Sequence, residues 1–211
     1  MPADRDLTPC PGCRLHGWLC LCARAPRVVT RTSLLLVVHV HELGRTSNTA
    51  RLLTLAVRDA ALVGHGGREP PADLAARVPA GATPIVLFPG RGARPLTPEL
   101  VAGLPSPPAL VVPDGNWRQA ARMVKRLPLL AGAVKVALPA RAFEGAALRR
   151  NRPGRMSTYE AVAQALGILE GEAVAGPLLD FYRRATDRML LVRGKLKPGD
   201  VYGGVDGRED E

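Results

Sequence analysis

The fold class of this chain follows from the stretch Ser33-Leu-Leu-Leu-Val-Val-His-Val-His41. A short apolar run of this kind is typical of a strand that is buried on both faces of a sheet. Three further apolar runs of similar length lie at residues 84–88, 109–112 and 133–138. Because helical stretches alternate with these runs, the sequence predicts an α/β domain with a largely parallel sheet and helices on both faces.

The helices are indicated by apolar residues at helical spacing and by capping residues. We predict one helix over residues 48–63, capped by Thr46, Ser47 or Asn48, and another from Asn116 to about Leu127. Two more begin at residues 157 and 176, the first with a capping box formed by Ser157 and Glu160. Residues 194–211 are expected to form a frayed tail.

Length and composition indicate one globular domain with a small appendage. The chain has 211 residues, of which 46% are hydrophobic and 23% are charged. Its longest apolar run is far shorter than the roughly 18 residues that a membrane span requires. The first residues also lack an apolar signal segment behind a basic start, so we expect a cytoplasmic protein with no membrane partner.

The net charge of +10 favours a polyanionic partner, most simply a nucleic acid. Residues 114–160 hold ten Lys and Arg residues against three Asp and Glu residues. A compositional bias toward Arg is the alternative, because 25 of the 29 basic residues are Arg. Charge alone therefore indicates a partner class but no chemistry.

All four cysteines lie close together near the N-terminus. Their spacing is C-x2-C-x6-C-x-C, formed by Cys10, Cys13, Cys20 and Cys22. Four thiolates brought together by two short turns suit one tetrahedral zinc ion. A disulfide pair is the alternative, but thiols stay reduced in the cytosol. We therefore predict a structural zinc knuckle, closed to catalysis.

The candidate site lies in four loops at the carboxyl ends of the predicted strands, where α/β sheets bind ligands. These loops span residues 39–48, 88–94, 113–117 and 139–157. Asp114 is the one acid at a predicted strand end that is followed directly by Gly and a helix start. An ordinary helix-capping role for Asp114 and Asn116 is equally open.

Several familiar chemistries are disfavoured, because the sequence has no G-x-G-x-x-G, P-loop, Ser-His-Asp order or H-E-x-x-H motif. The four histidines also show no ligand spacing beyond the pair His39 and His41. Those two side chains share one sheet face, and packing there is favoured over metal binding.

In combination, four segments resemble the DTW-domain family, which comprises tRNA-uridine aminocarboxypropyltransferases related to the SPOUT methyltransferases. The segments are the cysteine cluster, the loop and helix start at residues 42–52, Phe88-Pro89 with Asp114-Gly115-Asn116-Trp117, and Met156-Ser157-Thr158-Tyr159-Glu160-Ala161. The third is similar to the family's D-x-T-W segment and the fourth to its S-T-x-E-A segment. They occur in the family's order between residue 10 and about residue 170.

The resemblance implies that S-adenosylmethionine donates its 3-amino-3-carboxypropyl group to N3 of a tRNA uridine and leaves as methylthioadenosine. It implies catalytic roles for Asp114 and Trp117. The implied contacts to S-adenosylmethionine are Phe88, Pro89, Gly90, Pro113, Asp114, Gly115, Met156, Ser157 and Thr158. The candidate RNA contacts beside this site are Asn48, Arg51, Arg118, Arg149, Arg150, Arg152 and Arg155, although a solvated charge run also explains the last four.

The domain boundaries follow from these assignments. Residues 1–28 form the zinc knuckle, residues 29–193 form the SPOUT-like catalytic domain, and residues 194–211 form the tail. The knot of SPOUT proteins comes with the resemblance only, since nothing in the periodicity indicates it.

One position departs from the family's motif, because Asn116 stands where D-x-T-W has threonine. If the residue only caps a helix, Asn serves as well as Thr. If the hydroxyl touches substrate, activity or substrate choice changes. Two alternatives to aminocarboxypropyl transfer therefore stay open: a SPOUT-like RNA methyltransferase, and a non-catalytic zinc-bearing RNA-binding protein.

Overall fold

The computed structural model describes residues 6–45, 47–68, 72–139 and 156–205. Its centre is a six-stranded sheet whose strands all run parallel. The strands are β1 (Ser33–His39), β2 (Ala61–His65), β3 (Thr83–Leu87), β4 (Arg94–Pro95), β5 (Pro108–Asp114) and β6 (Val134–Ala137). Their spatial order is β2-β1-β5-β3-β6-β4, so β5 lies inside the sheet between β1 and β3.

The sheet is covered on both faces because alternate side chains of its central strands enter two separate cores. Leu34 and Leu36 of β1 belong to one core, and Leu35 and Val37 belong to the other. The first core is covered by α2 (Ala50–Ala56), α3 (Pro98–Ala102), α6 (Thr158–Glu170) and α7 (Glu172–Val192). The second is covered by α4 (Trp117–Arg126) and α5 (Pro128–Gly132). A four-residue helix, α1 (Val40–Leu43), follows β1 directly.

The predicted fold class is therefore confirmed. Four of the observed strands, β1, β3, β5 and β6, coincide with the four apolar runs. The predicted helix starts at Asn116 and Ser157 are also correct, because those residues are the N-caps of α4 and α6.

The predicted helix over residues 48–63 is wrong at both ends, because α2 begins at Ala50, with Thr49 as its N-cap residue in place of one of the three predicted caps, and ends at Ala56. Asp59 then turns the chain with a φ of 62°, and β2 follows and pairs with β1. The spacing of Leu62 and Val63 fits the apolar stripe of a helix. In the structure, however, these two residues pair with Leu36 and Val37 of β1 as part of the sheet. Short apolar runs are ambiguous in this way, because pairing with a distant strand overrides local periodicity.

The predictions for the C-terminal part were partly wrong. Helix α7 begins at Glu172, before the predicted start, and Val192 is exposed. Residues 194–205 are not frayed but pack on α7, where Val201 is buried and Tyr202 Oη donates a hydrogen bond to Asp180 Oδ1 at 2.7 Å. Arg188, which is buried in α7, donates to the Gly204 carbonyl oxygen at 2.7 Å.

Two remaining expectations concern the chain path and the membrane. Residues 140–155, which connect β6 to α6, lie outside the described residues, and the SPOUT-like knot stays a prediction. Within the described ranges, no helix has both the length and the apolar character to cross a bilayer.

The sheet interior predicts a stability difference that can be measured. Leu110 of β5 is 0% exposed, whereas Val29 is 62% exposed. Leu110→Ala should lower the free energy of unfolding by about 2–5 kcal/mol, because it leaves a cavity in the core. Val29→Ala should change it by less than about 0.5 kcal/mol. Urea denaturation tests this, and equal effects of the two substitutions would contradict the burial of Leu110 in the sheet interior.

Candidate functional site

Asp114 is the point where three loops of the carboxyl edge of the sheet meet. It is the last residue of β5 and is only 8% exposed. Its Oδ2 accepts a hydrogen bond from Asn48 Nδ2 at 2.7 Å, and its Oδ1 accepts a second from Thr158 Oγ1. A buried carboxylate needs such donors to compensate for lost water. The three residues, which are far apart in sequence, therefore form one polar cluster.

Asn48 joins this cluster to the start of α2. While its amide nitrogen donates to Asp114, its Oδ1 accepts a hydrogen bond from the backbone N–H of Arg51 at 3.2 Å. The capping interpretation of Asn48 and its placement at the site are thus compatible. The Asn48 side chain is 7% exposed, so its orientation is fixed by both contacts.

Thr158 is held in place by the capping box at the start of α6. Ser157 Oγ accepts from the Glu160 backbone N–H at 3.1 Å, and Glu160 Oε2 accepts from the Ser157 backbone N–H at 2.9 Å. The same Glu160 oxygen accepts from Tyr182 Oη of α7 at 3.0 Å. This predicted capping box is confirmed, and Tyr182 is a supporting residue that local sequence patterns did not reveal.

Asn116, the departure from the threonine motif, is the N-cap of α4. Its Oδ1 accepts from the Gln119 backbone N–H at 3.0 Å, and its own N–H donates to Gln119 Oε1 at 2.8 Å. The capping role is therefore real. Gln119 was not singled out from the sequence, although the spacing N-x-x-Q is a capping-box signal that could have revealed it.

An aromatic pair lies at the ends of β3 and β5. The rings of Phe88 and Trp117 stack, with centroids 4.9 Å apart and planes inclined by 29°. Phe88 is 8% exposed, but Trp117 is 61% exposed. Trp117 therefore presents a broad apolar ring surface to solvent beside a polar site.

His39 ends β1 next to these loops. Its Nδ1 lies 3.3 Å from Gln119 Nε2, and its ring lies 4.9 Å from the ring of His41 in an edge-on arrangement. Burial lowers the pKa of His39 below its usual value, and the neighbouring His41 and His65 act in the same direction. The neutral imidazole of His39 is favoured. The prediction that His39 and His41 pack on one sheet face is wrong for His41, because β1 ends at His39 and His41 is exposed in α1. Among the described residues, no histidine belongs to a metal-binding cluster.

The other predicted site residues fall into three groups. Pro113 belongs to β5, Gly115 follows Asp114 and Met156 precedes Ser157, whereas Pro89 and Gly90 lie in the loop after β3, which holds no member of the polar cluster. Arg118 is exposed on α4. Arg51 is half-buried, and its Nη2 donates a hydrogen bond to the Leu43 carbonyl oxygen at 3.3 Å. Outside the described residues lie Arg149, Arg150, Arg152 and Arg155.

The four cysteines form a separate cluster that suits a metal ion. Sγ–Sγ distances are 3.4 Å from Cys20 to Cys10, 3.6 Å from Cys10 to Cys22 and 3.8 Å from Cys13 to Cys20. All four sulfur atoms lie within 4.8 Å of one another. Four thiolates about 2.3 Å from a tetrahedral zinc ion would lie about 3.8 Å apart, whereas disulfide sulfurs lie about 2.05 Å apart. The geometry matches a zinc site, and the cysteines are free.

Backbone hydrogen bonds and burial shift the pKa values of these thiols in opposite directions. The backbone N–H of Cys13 is the main cause that lowers the pKa of Cys10 to about 6, whereas burial raises the pKa of Cys13 and of Cys22. Buried thiols of this kind become thiolates when a metal ion balances their charge. The chemistry of the donor set therefore fits zinc.

The cysteine cluster is part of the main core rather than a separate body. Cys13, Leu15, Leu19 and Leu21 are buried in the same core as α2, α6 and α7. A Cβ atom at Gly12 would lie 2.7 Å from Cys22 Sγ and 3.7 Å from Leu55 Cδ2, so the loop needs glycine where it approaches α2. The cluster thereby supports the helix whose start binds Asn48.

A family model described as the DTW domain matches residues 7–190 of the chain. The match covers the cysteine cluster, the Asp114 cluster and α6. No curated protein gives a significant match to the chain. The same holds for solved structures.

The metal site predicts about one zinc ion per chain. Cys10→Ser with Cys13→Ser should abolish zinc retention, because two of four ligands are lost. In the wild type, zinc should be released as the pH falls, because protons compete for the thiolates. Elemental analysis after dialysis measures both effects. A freshly purified wild-type protein free of zinc, or one with paired disulfides, would contradict the assignment.

The cap of α4 predicts that threonine can replace Asn116. Asn116→Thr keeps an acceptor for the Gln119 N–H and should change the free energy of unfolding by less than about 0.5 kcal/mol. Asn116→Ala removes the acceptor and should cost about 1 kcal/mol. Urea denaturation separates the two variants. Equal destabilisation by Thr and Ala would show that the capping contact is not what holds this position.

Proposed function

The chain belongs to the DTW-domain family of tRNA-uridine aminocarboxypropyltransferases, and from this premise we propose that it modifies a uridine of tRNA with S-adenosylmethionine as donor. The group transferred is the 3-amino-3-carboxypropyl group, and the acceptor is N3 of the base. The observation that carries the proposal is the Asp114 carboxylate, buried at the carboxyl edge of the sheet and bonded to both Asn48 and Thr158.

The reaction defines what the site has to supply. N3 of uridine loses its proton and attacks the carbon next to the sulfonium. The new N–C bond forms as the C–S bond breaks, and the electron pair of the broken bond stays on sulfur, so that methylthioadenosine leaves. Because the sulfonium is already a good leaving group, the protein's contribution is to place the base in line and to remove a proton.

Asp114 is suited to this task by its fixed position. Each carboxylate oxygen accepts one hydrogen bond from the chain, which locks the carboxylate plane. A carboxylate oxygen can accept more than one hydrogen bond, so Asp114 retains capacity for the N3–H of the substrate. In this role it either accepts the proton or holds the base in line.

The start of α6 suits the amino-acid part of S-adenosylmethionine. Helix α6 has 13 residues and begins at Thr158, so its first amides present partial positive charge. A carboxylate placed near Met156, Ser157 and Thr158 is stabilised there. The loop from Phe88 to Gly90 and the turn at Pro113 to Gly115 then contact the adenosine.

Trp117 is positioned to hold the uridine. Its exposed ring is backed by Phe88 and lies three residues after Asp114. Stacking of a base on such an aromatic ring is the usual way in which proteins hold an unpaired nucleotide. Asp114 and Trp117 are therefore the proposed catalytic residues.

The capping role of Asn116 bears on the non-catalytic alternative. The motif departure motivated that alternative, but Asn116 makes both contacts of a capping box. Asn caps a helix at least as well as Thr. The replacement of the motif threonine by Asn116 is therefore compatible with an active enzyme and gives no support to the non-catalytic alternative.

The by-product separates aminocarboxypropyl transfer from methyl transfer. Incubation of the protein with S-adenosylmethionine and an unmodified tRNA transcript should release methylthioadenosine, measured by liquid chromatography. Release of S-adenosylhomocysteine instead would identify a methyltransferase. Binding of tRNA with neither by-product would leave an RNA-binding protein.

Asp114 is tested by substitution. Asp114→Ala should retain tRNA binding but lose methylthioadenosine release by about 100-fold or more, because it removes the proton acceptor. The neutral isostere Asp114→Asn should lose release to a similar extent while filling the same space. Circular dichroism and tRNA binding serve as controls for folding. Full activity of either variant would refute the assignment.

A further inference from the structure

A cleft of about 270 Å³ opens beside Phe88, on the sheet face that is covered by α4 and α5. It is lined by Phe88, by small and aliphatic side chains of α4 and α5, and by Arg91, Lys125 and Lys135. The lining thus combines an apolar floor with three cationic side chains. None of these three cations has an assigned role in the Asp114 site.

Among the described residues, no carboxylate forms an ion pair with any of the three cations. Arg91 follows β3, Lys125 lies on α4 and Lys135 lies on β6, so three different elements bring them together. The two segments that build this face, residues 88–95 and 115–138, contain seven Lys and Arg residues and no Asp or Glu.

Stabilisation of a helix C-terminus explains only one of the three cations in the cleft. Lys125 lies in the last turn of α4, where a cation favours the helix C-terminus. Arg91 and Lys135 are not on that helix, and their convergence costs energy through mutual repulsion unless an anion is bound. The cleft therefore has the character of an anion site.

The exposed side of α4 connects this cleft to the aromatic pair. Arg118, Arg122 and Lys125 recur at helical spacing and are all exposed, so they form one cationic stripe. Trp117 lies at one end of the stripe and the cleft at the other. Lys125 lies eight positions after Trp117, which is about 12 Å along the helix axis.

We propose that this stripe and cleft form the track for a single strand of RNA that continues from the target uridine. The proposal rests on the function proposed above, since the uridine at Trp117 fixes where the strand begins. The base stacks on Trp117, and the following phosphates bind along Arg118 and Arg122 into the cleft of Arg91, Lys125 and Lys135. A cationic groove that leads from an aromatic stacking platform is the arrangement by which proteins hold single strands.

Nucleic acid is favoured over an acidic protein because of the aromatic platform. A peptide rich in Asp and Glu would pair with the cations but would have no use for the exposed Trp117 ring. A strand of RNA uses both, since every base has a face that stacks and every nucleotide carries a phosphate.

The experiment measures binding of a fluorescent oligouridylate and of an unmodified tRNA transcript over a series of salt concentrations, without S-adenosylmethionine. Lys125→Ala with Lys135→Ala should weaken oligouridylate binding on the order of tenfold and reduce the magnitude of the log–log salt slope by about 1.4. Trp117→Ala should weaken it on the order of tenfold, and Trp117→Phe should retain most of the affinity, because phenylalanine still stacks.

The matched control is Lys195→Ala with Lys197→Ala. It removes the same charge from two exposed residues that follow α7, on the other face of the sheet. The double variant Lys125→Ala with Lys135→Ala is the cleft pair, and Lys195→Ala with Lys197→Ala is the control pair. If the two pairs change the affinity for RNA and the salt slope equally, net charge alone explains binding and the track is refuted. A polyglutamate peptide that competes as well as oligouridylate would also overturn the assignment to RNA.

The track and the catalytic proposal fail in different ways. If the cleft pair binds RNA like the wild type while the wild type still releases methylthioadenosine, the track is wrong and the transferase function stands. If the wild type releases no methylthioadenosine but the cleft pair loses RNA binding selectively, the transferase function is wrong and the track stands as an RNA site.

Discussion

The carboxylate of Asp114 is the interaction on which the rest of the site depends. It is buried, and its two oxygens bind side chains from two segments that are separated from it by 66 and 44 residues. Loss of either donor would leave a buried charge under-compensated, so the three segments are constrained to stay together. The residue thus links the central strand β5 to the start of α2 and to the N-terminus of α6. The same constraint that closes the fold at this edge also fixes the position of the carboxylate that we propose acts on the substrate.

The cysteine cluster acts on this site through packing rather than chemistry. Its buried residues share a core with α2, and Gly12 lies against Leu55 of that helix. Asn48 Oδ1 binds the first turn of α2, and Asn48 Nδ2 binds Asp114. A metal ion bound by the four cysteines would therefore stabilise the helix on whose start Asn48 depends. A closed four-thiolate site has no open position for a substrate, so its proposed role is structural support of the Asp114 site.

Much of the fold and part of the site could be predicted from local sequence. The four apolar runs became strands, and the caps at Asn116 and Ser157 marked two helix starts, because these signals act over a few residues. Strand β2 was missed because the spacing of Leu62 and Val63 also fits a helix, and only pairing with β1 decides between them. The partners of Asp114, the support of Glu160 by Tyr182, and the convergence of Arg91, Lys125 and Lys135 join distant segments. No local pattern encodes such contacts, which arise only when the sheet order is known.

We propose that the Asp114 site transfers an aminocarboxypropyl group to a tRNA uridine. Mass spectrometry of the nucleosides of an unmodified tRNA transcript, after incubation with the protein and S-adenosylmethionine, tests this proposal. We expect one uridine that carries the 3-amino-3-carboxypropyl group on N3, and its position also identifies the target nucleotide. A methylated nucleoside, or a transcript that stays unmodified while the protein binds it, would refute aminocarboxypropyl transfer.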